Sequence, residues 1–221
     1  MLKRPWGFGW RLAAVAVALS AAGCGSGDPD SARIEGYRRA GNVDSLAQEV
    51  SSSDTADARR AVRALGTLGP QALPRIGEAL RDNRIEVRQE AALAYGQAAR
   101  GEPAIRLGGL ASVVREDPSP EVRAAAATAL GGARAVDEMQ TLLAALEDPD
   151  RTVRARANAA VARIIGRRYE TYVDGTPEQR REAVAKLRQA WPSMERDTRD
   201  YYRTVRRAGA QPKGGQPGAG R

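Results

Sequence analysis

Residues 117–131 read Asp-Pro-Ser-Pro-Glu-Val-Arg-Ala-Ala-Ala-Ala-Thr-Ala-Leu-Gly, and the same pattern returns on either side. Val87-Arg88 leads to Gly96, Val122-Arg123 to Gly131 and Val153-Arg154 to Ala162, with Ala91, Ala126 and Ala157 each three residues after the Arg. The three Arg residues are 35 and then 31 apart. A weaker copy, Ala61, Val62, Ala64, Leu65 and Gly66, precedes them. Self-similarity at this period marks a chain of stacked supersecondary units. Each Ala-rich segment is followed by a Gly-marked turn and a second apolar-periodic segment, Ala72 to Leu80, Ala104 to Val114 and Ala135 to Leu146, which predicts one helix pair per repeat.

The side chains supply a packing reason for the pattern. Alanine at recurring positions lets the first helices approach closely, while Ile76, Leu80, Leu110, Val114, Leu142 and Leu146 of the second helices fill the space between. No pair buries both faces alone, so the pairs must stack. Asp82 and Arg88, Asp117 and Arg123, and Asp148 and Arg154 are each six residues apart. A carboxylate at the turn can accept from the guanidinium of the following helix and from free N–H groups at that helix's start. The competing reading of these Arg residues is an anion-binding row. The earliest copy has Ala58 where the Arg would stand, so its rung should be incomplete.

Over about residues 42 to 166 these features resemble the HEAT-repeat family, in particular its Ala-rich bacterial branch, which includes the HEAT-like repeats of phycobilin lyases. The resemblance implies an all-α, right-handed α-solenoid, with Asp82, Arg88, Asp117, Arg123, Asp148 and Arg154 in a structural hydrogen-bond ladder between repeats. Ser31 to Arg39 and Asn42 to Val50 read as a capping pair with Asn42 as an N-cap. Beyond the last repeat, Thr176-Pro177-Glu178-Gln179 is a capping box with Pro at the first helical position. That helix is expected to stop at Pro192, and a last one to run from Ser193 to about Arg207. Val184, Leu187 and Trp191, three and four apart, should cover the open end of the stack.

The flanks carry the address. Lys3, Arg4 and Arg11 border an apolar run from Leu12 to Leu19, followed by Ser20, Ala21, Ala22, Gly23 and Cys24. The run is too short to cross a bilayer and reads as a signal peptide over residues 1–23. Small residues before Cys24 resemble the lipobox of bacterial lipoproteins, although Ala21 stands where that pattern most often has Leu. Cys24, the single cysteine, is therefore the expected lipidation site. Residues 24–31 read as a flexible tether, 32–168 as the solenoid, 169–207 as C-terminal capping helices and 208–221 as a disordered tail.

Charge and composition narrow the function. The formal net charge of +8 falls on the leader and on residues 163–221, which carry 14 basic and 7 acidic groups; residues 24–162 carry 18 and 20. A near-neutral repeat body together with an export signal argues against nucleic acid as a partner. With no His and one Cys, the chain excludes a Ser-His-Asp triad, a Cys-His dyad and an ordinary zinc finger. No catalytic, cofactor-binding or metal-ligating residue is assigned. The expected function is an envelope-anchored, non-catalytic scaffold for a protein partner; a lyase-type protein or lyase subunit is the alternative. Tyr201, Tyr202, Arg203, Arg206 and Arg207 are the expected contact patch, since Tyr and Arg are enriched at binding hot spots.

Overall fold

The computed structural model describes residues 28–102 and 105–207, and these residues form ten α-helices with no strand among them. They alternate between two layers. The first contains α1 (Pro29–Arg39), α3 (Thr55–Thr67), α5 (Ile85–Ala98), α7 (Pro120–Ala133) and α9 (Arg151–Ile165). The second contains α2 (Val43–Val50), α4 (Leu73–Ala79), α6 (Gly108–Glu116), α8 (Met139–Ala145) and α10 (Pro177–Arg207). Each first-layer helix packs on the next, and short 3₁₀ turns at Pro70–Ala72 and Val136–Glu138 feed α4 and α8. The result is a helical solenoid of five pairs.

The helix starts are chemically marked. Asp54, Ser119 and Asp150 occupy N-cap positions, and their side-chain oxygens accept from backbone N–H groups two or three residues on. Asp150 accepts from Thr152 at 2.7 Å and from Val153 at 3.1 Å, and these backbone bonds hold its carboxyl below the ordinary value. Asn42 caps α2 as its position predicts, accepting from the Ser45 N–H at 3.0 Å. Asp28 caps α1, so Pro29, Asp30 and Ser31 are helical and the expected tether ends earlier than residue 31.

Close packing of the first layer rests on an Ala-x-Gly element. Gly66, Gly96 and Gly131 lie inside helices, not in turns as the sequence reading had them. A Cβ on Gly66 would lie 2.9 Å from the Cα of Ala94; on Gly96, 2.7 Å from the Cβ of Ala129; on Gly131, 2.7 Å from the Cα of Ala160. Each receiving Ala sits two residues before the glycine position of its own helix: Ala94 before Gly96, Ala129 before Gly131, Ala160 before Ala162. The glycine of one helix therefore takes the alanine of the next, at a separation that no side chain allows. At the end of the series Ala162 replaces glycine, since no first-layer helix follows α9 among the described residues. Between the layers, Leu65, Ile76, Leu110, Leu130, Leu142 and Ile164 are fully buried.

The C-terminal segment departs from expectation. In place of two helices broken at Pro192, α10 is one helix of 31 residues with Pro192 inside it. An interior proline removes a bond to the carbonyl four residues back and typically costs about 3 kcal/mol or more. Here Pro192 and Arg188 are both exposed, so the carbonyl that loses its donor is open to water. The apolar face runs past the proline without a change of register. Val184, Leu187, Trp191, Thr198 and Tyr202 are all buried, and that continuous stripe favours one helix over two. α10 stands in the second layer beside α8, as the partner of α9, with Val184, Leu187 and Trp191 covering apolar surface as their spacing predicts.

Candidate interaction surface

The ladder residues meet between repeats, though not in the pairs suggested by the six-residue offset. Arg88 donates through Nε to Asp117 at 2.9 Å, and Arg123 does the same to Asp148 at 2.9 Å. The constant offset marks a different contact. Nη1 of Arg88 donates to the backbone carbonyl of Asp82 at 2.8 Å, Nη1 of Arg123 to that of Asp117 at 3.0 Å, and Nη1 of Arg154 to that of Asp148 at 2.9 Å. Arg88 and Arg123 thus each hold the loop before their own helix by a carbonyl and the loop of the next repeat by a carboxylate. The carboxylates also accept from N–H groups two residues on, Asp117 from Ser119 at 2.9 Å and Asp148 from Asp150 at 2.8 Å. All four side chains of these two rungs are at most 13% exposed, which keeps both ion pairs out of water.

Both ends of the ladder are closed by substitutes. Where Ala58 removes the first Arg, Arg84 reaches back from the following loop and donates to Asp82 through Nε and Nη2, each at 2.9 Å. Its Nη1 bonds the carbonyl of Ser52 at 2.7 Å, six residues before Ala58 and so the acceptor an Arg at position 58 would use. The rung expected to be incomplete is therefore made, and these hydrogen bonds from Arg84 hold the Asp82 carboxyl below its ordinary value. At the other end, the next aspartate, Asp174, is taken by Arg151 and not by Arg154. The Nε of Arg154 donates instead to the carbonyl of Val173 at 2.9 Å. Occupied in this way, the ladder arginines form a structural spine and not an anion-binding row.

Of the expected contact patch, Tyr202 must be corrected. It is 6% exposed, and its hydroxyl donates to the carbonyl of Ile164 at 2.8 Å while accepting from Nη1 of Arg134 at 2.6 Å. Burial raises its phenol above the ordinary value. Tyr202 fastens α10 to the stack, its hydroxyl fully engaged within the chain. Tyr201 is half-buried and meets the Tyr202 ring edge-on at 5.2 Å between centroids. Arg203 is exposed and paired with Asp200 at 2.8 Å, and Arg207 is exposed. The side chain of Arg206 lies outside the described residues, as does Cys24.

The residues around Tyr202 instead line an open groove of about 590 Å³ between the α5–α6 loop, the α7–α8 turn and the end of α10. Six arginines border it: Arg100, Arg106, Arg134, Arg163, Arg199 and Arg203. Three acids do so as well, Glu102, Asp137 and Glu138, of which Asp137 pairs with Arg199 at 2.7 Å. Among the described residues Arg100, Arg106 and Arg163 have no carboxylate partner, and all three are exposed. Arg134 is half-buried, donates to Tyr202 and lies over its ring at 4.9 Å.

Arg134 is also set apart by its backbone. At the ends of α1, α3, α5 and α9 the chain turns through glycines with positive φ, Gly41 (65°), Gly69 (80°), Gly101 (87°) and Gly166 (83°); at the end of α7 the residue is Arg134 with φ 56°. Its N–H bonds the carbonyl of Gly131 and that of Ala135 bonds Leu130 at 3.0 Å, the two reverse bonds of a Schellman cap. A side chain in this region costs roughly 1–2 kcal/mol relative to its right-handed form. The groove escapes detection in sequence because its arginines come from four separated segments, though the break in the glycine series at position 134 is a readable trace. Among the described residues no group of three or more His, Cys, Asp or Glu side chains could hold a metal, and no helix is long and apolar enough to cross a membrane. A family model described as HEAT repeats matches residues 43–106 and 108–208, and so extends through α10. No curated protein matches the chain.

Proposed function

The chain belongs to the HEAT-repeat family, and we propose that it is a lipid-anchored scaffold of the bacterial envelope, without catalytic chemistry of its own, that holds a protein partner at the C-terminal end of its solenoid. HEAT repeats commonly mediate protein–protein interaction, and stacked pairs offer extended surfaces that need no built-in reaction. The observation that carries the reading is the arginine-bordered groove, where Arg100, Arg106 and Arg163 stand exposed with no carboxylate partner among the described residues. The anchoring half rests on the basic and apolar leader that ends at Cys24.

Two measurements test the two halves. The wild-type chain should fractionate with membranes and carry acyl groups on Cys24 by intact mass, and Cys24→Ser should lose both properties. A photo-crosslinker placed at position 106 in intact cells should trap a specific protein that the same group at position 156, on the exposed side of α9, does not. Soluble, unacylated wild-type protein would defeat the anchor, and identical captures from the two positions would defeat the scaffold.

A further inference from the structure

We propose that the groove beside Tyr202 is a recognition site for an acidic, extended peptide segment of a partner protein; the proposal deepens the scaffold reading and rests on it. Three observations converge. The charge is one-sided: with Arg199 paired to Asp137 and Arg203 to Asp200, four arginines, Arg100, Arg106, Arg134 and Arg163, face two acids, Glu102 and Glu138. Guanidinium groups bind carboxylates through two parallel hydrogen bonds, and Arg100, Arg106 and Arg163 each offer a fork that no carboxylate occupies among the described residues.

The second observation is the backbone at Arg134. Four of the five helix ends in the first layer make the left-handed turn with glycine, and the fifth makes it with an arginine that borders the groove. Strain of this kind persists where the surrounding structure over-determines it, and it concentrates at sites of function. Tyr202 and the carbonyl of Arg163 hold the Arg134 guanidinium without neutralising it, since neither partner is charged. A cation fixed in place in this way loses little freedom when a carboxylate arrives.

The third observation is shape. The cations sit around a concavity formed by loop ends and the last turns of α10, not on a flat face. A peptide chain can enter such a groove and place its carboxylates against Arg134. A flat bilayer surface cannot follow the chain into the concavity to reach Arg134, which is half-buried. The geometry therefore favours a peptide over a membrane as occupant.

The test uses the full chain, purified in a non-ionic detergent, and a fluorescein-labelled ten-residue peptide of alternating Glu and Gly, with its Gln counterpart as the neutral control. Anisotropy should show saturable binding of the Glu peptide and none of the Gln peptide. The double variant Arg100→Glu/Arg106→Glu should bind about tenfold more weakly or worse. Arg81→Glu/Arg156→Glu, which makes the same change of charge at exposed positions away from the groove, should stay within about twofold of wild type. Arg163→Gln is a second, independent probe of the same site and should weaken binding without altering the helical circular dichroism. Equal losses in the two double variants, or no saturable binding to the wild type, would overturn the proposal. Water-soluble dihexanoyl phosphatidylglycerol supplies the lipid arm: if it binds through Arg100 and Arg106 while the peptide does not, the groove is a headgroup site. A failed peptide titration leaves the envelope crosslinks unchanged if the scaffold reading is right, so the two failures are distinguishable.

Discussion

The two helical layers solve the problem of stacking in opposite ways. In the first, glycine and alanine bring backbones together until no Cβ fits between Gly131 and Ala160. In the second, long polar side chains span between neighbours: Arg75 of α4 to Asp44 of α2 at 3.0 Å, and Arg115 of α6 to Thr141 of α8 at 3.1 Å. Contact through small residues is short, apolar and unforgiving. Contact through arginine is exposed, adjustable and individually weak. The geometry of the solenoid is therefore set by the first layer, and the second is free to vary, which is where α10 extends to a length no other helix reaches.

The largest effect that separates the layers should come from Gly131→Ala. Its Cβ would meet backbone as well as side-chain atoms of Ala160, so overpacking should cost about 3 kcal/mol, read as a fall in the urea midpoint with little change in slope. Ala160→Gly in the same chain should restore only part of the loss, because the Cα of Ala160 is as close as its Cβ. Full stability of Gly131→Ala would mean the first layer is as adjustable as the second.

Next in size is the spine between successive repeats. Arg123→Ala strands the Asp148 carboxylate and the carbonyls of Asp117 and Pro118, and should cost on the order of 1–3 kcal/mol in thermal or chemical unfolding. Arg75→Ala should change stability by less than about 0.5 kcal/mol, since that side chain and Asp44 are 42% and 80% exposed. A similar loss for both would erase the distinction between buried and exposed bridges.

Acid should act on the spine before it acts on the glycine contacts. Arg84 holds the Asp82 carboxyl below its ordinary value in the folded chain, so the ionised form is favoured by folding. The stability this supplies is present above the unfolded carboxylate range and is lost as pH falls through the lowered folded value. Unfolding midpoints should decline in that window, and Asp82→Asn should show a shallower decline. An unchanged slope would remove Asp82 from the acid response.

The smallest effect should be a gain. Gly36 lies within α1 with nothing within 4 Å of a built Cβ, so Gly36→Ala should stabilise by about 0.5–1 kcal/mol. Opposite signs for the same substitution at positions 36 and 131 would show that Gly131 serves contact and not flexibility.

The helix pairs were legible because alanine content and apolar spacing are local signals, and so were the caps at Asn42 and Thr176. The ladder was legible as a ladder, but its pairing was not. The six-residue offset is constant because it reports a contact within one loop and helix, whereas the carboxylate partner lies 29 residues on from Arg88 and 25 from Arg123, so loop length hides it. Pro192 misled because a local breaker competes with a tertiary stripe, and the stripe from Val184 to Tyr202 prevails. Tyr202 misled for a related reason. Its acceptor on Ile164 is 38 residues away, and nothing near it in sequence marks it as buried.

The ladder has a direction, and that direction bears on how such a chain can grow. The unit built on α7 presents an arginine forward and a carboxylate backward, a glycine forward and an alanine backward, so its tail fits its own head. A tandem duplication of residues 117–147 would thus arrive with matching joints on both sides and lengthen the solenoid in one genetic event. The terminal units do not share this freedom: Arg84 serves only a neighbour that lacks its own arginine, and the Val173 carbonyl serves only the last guanidinium. Descendants of this chain should differ in the number of their middle units and agree in their two ends.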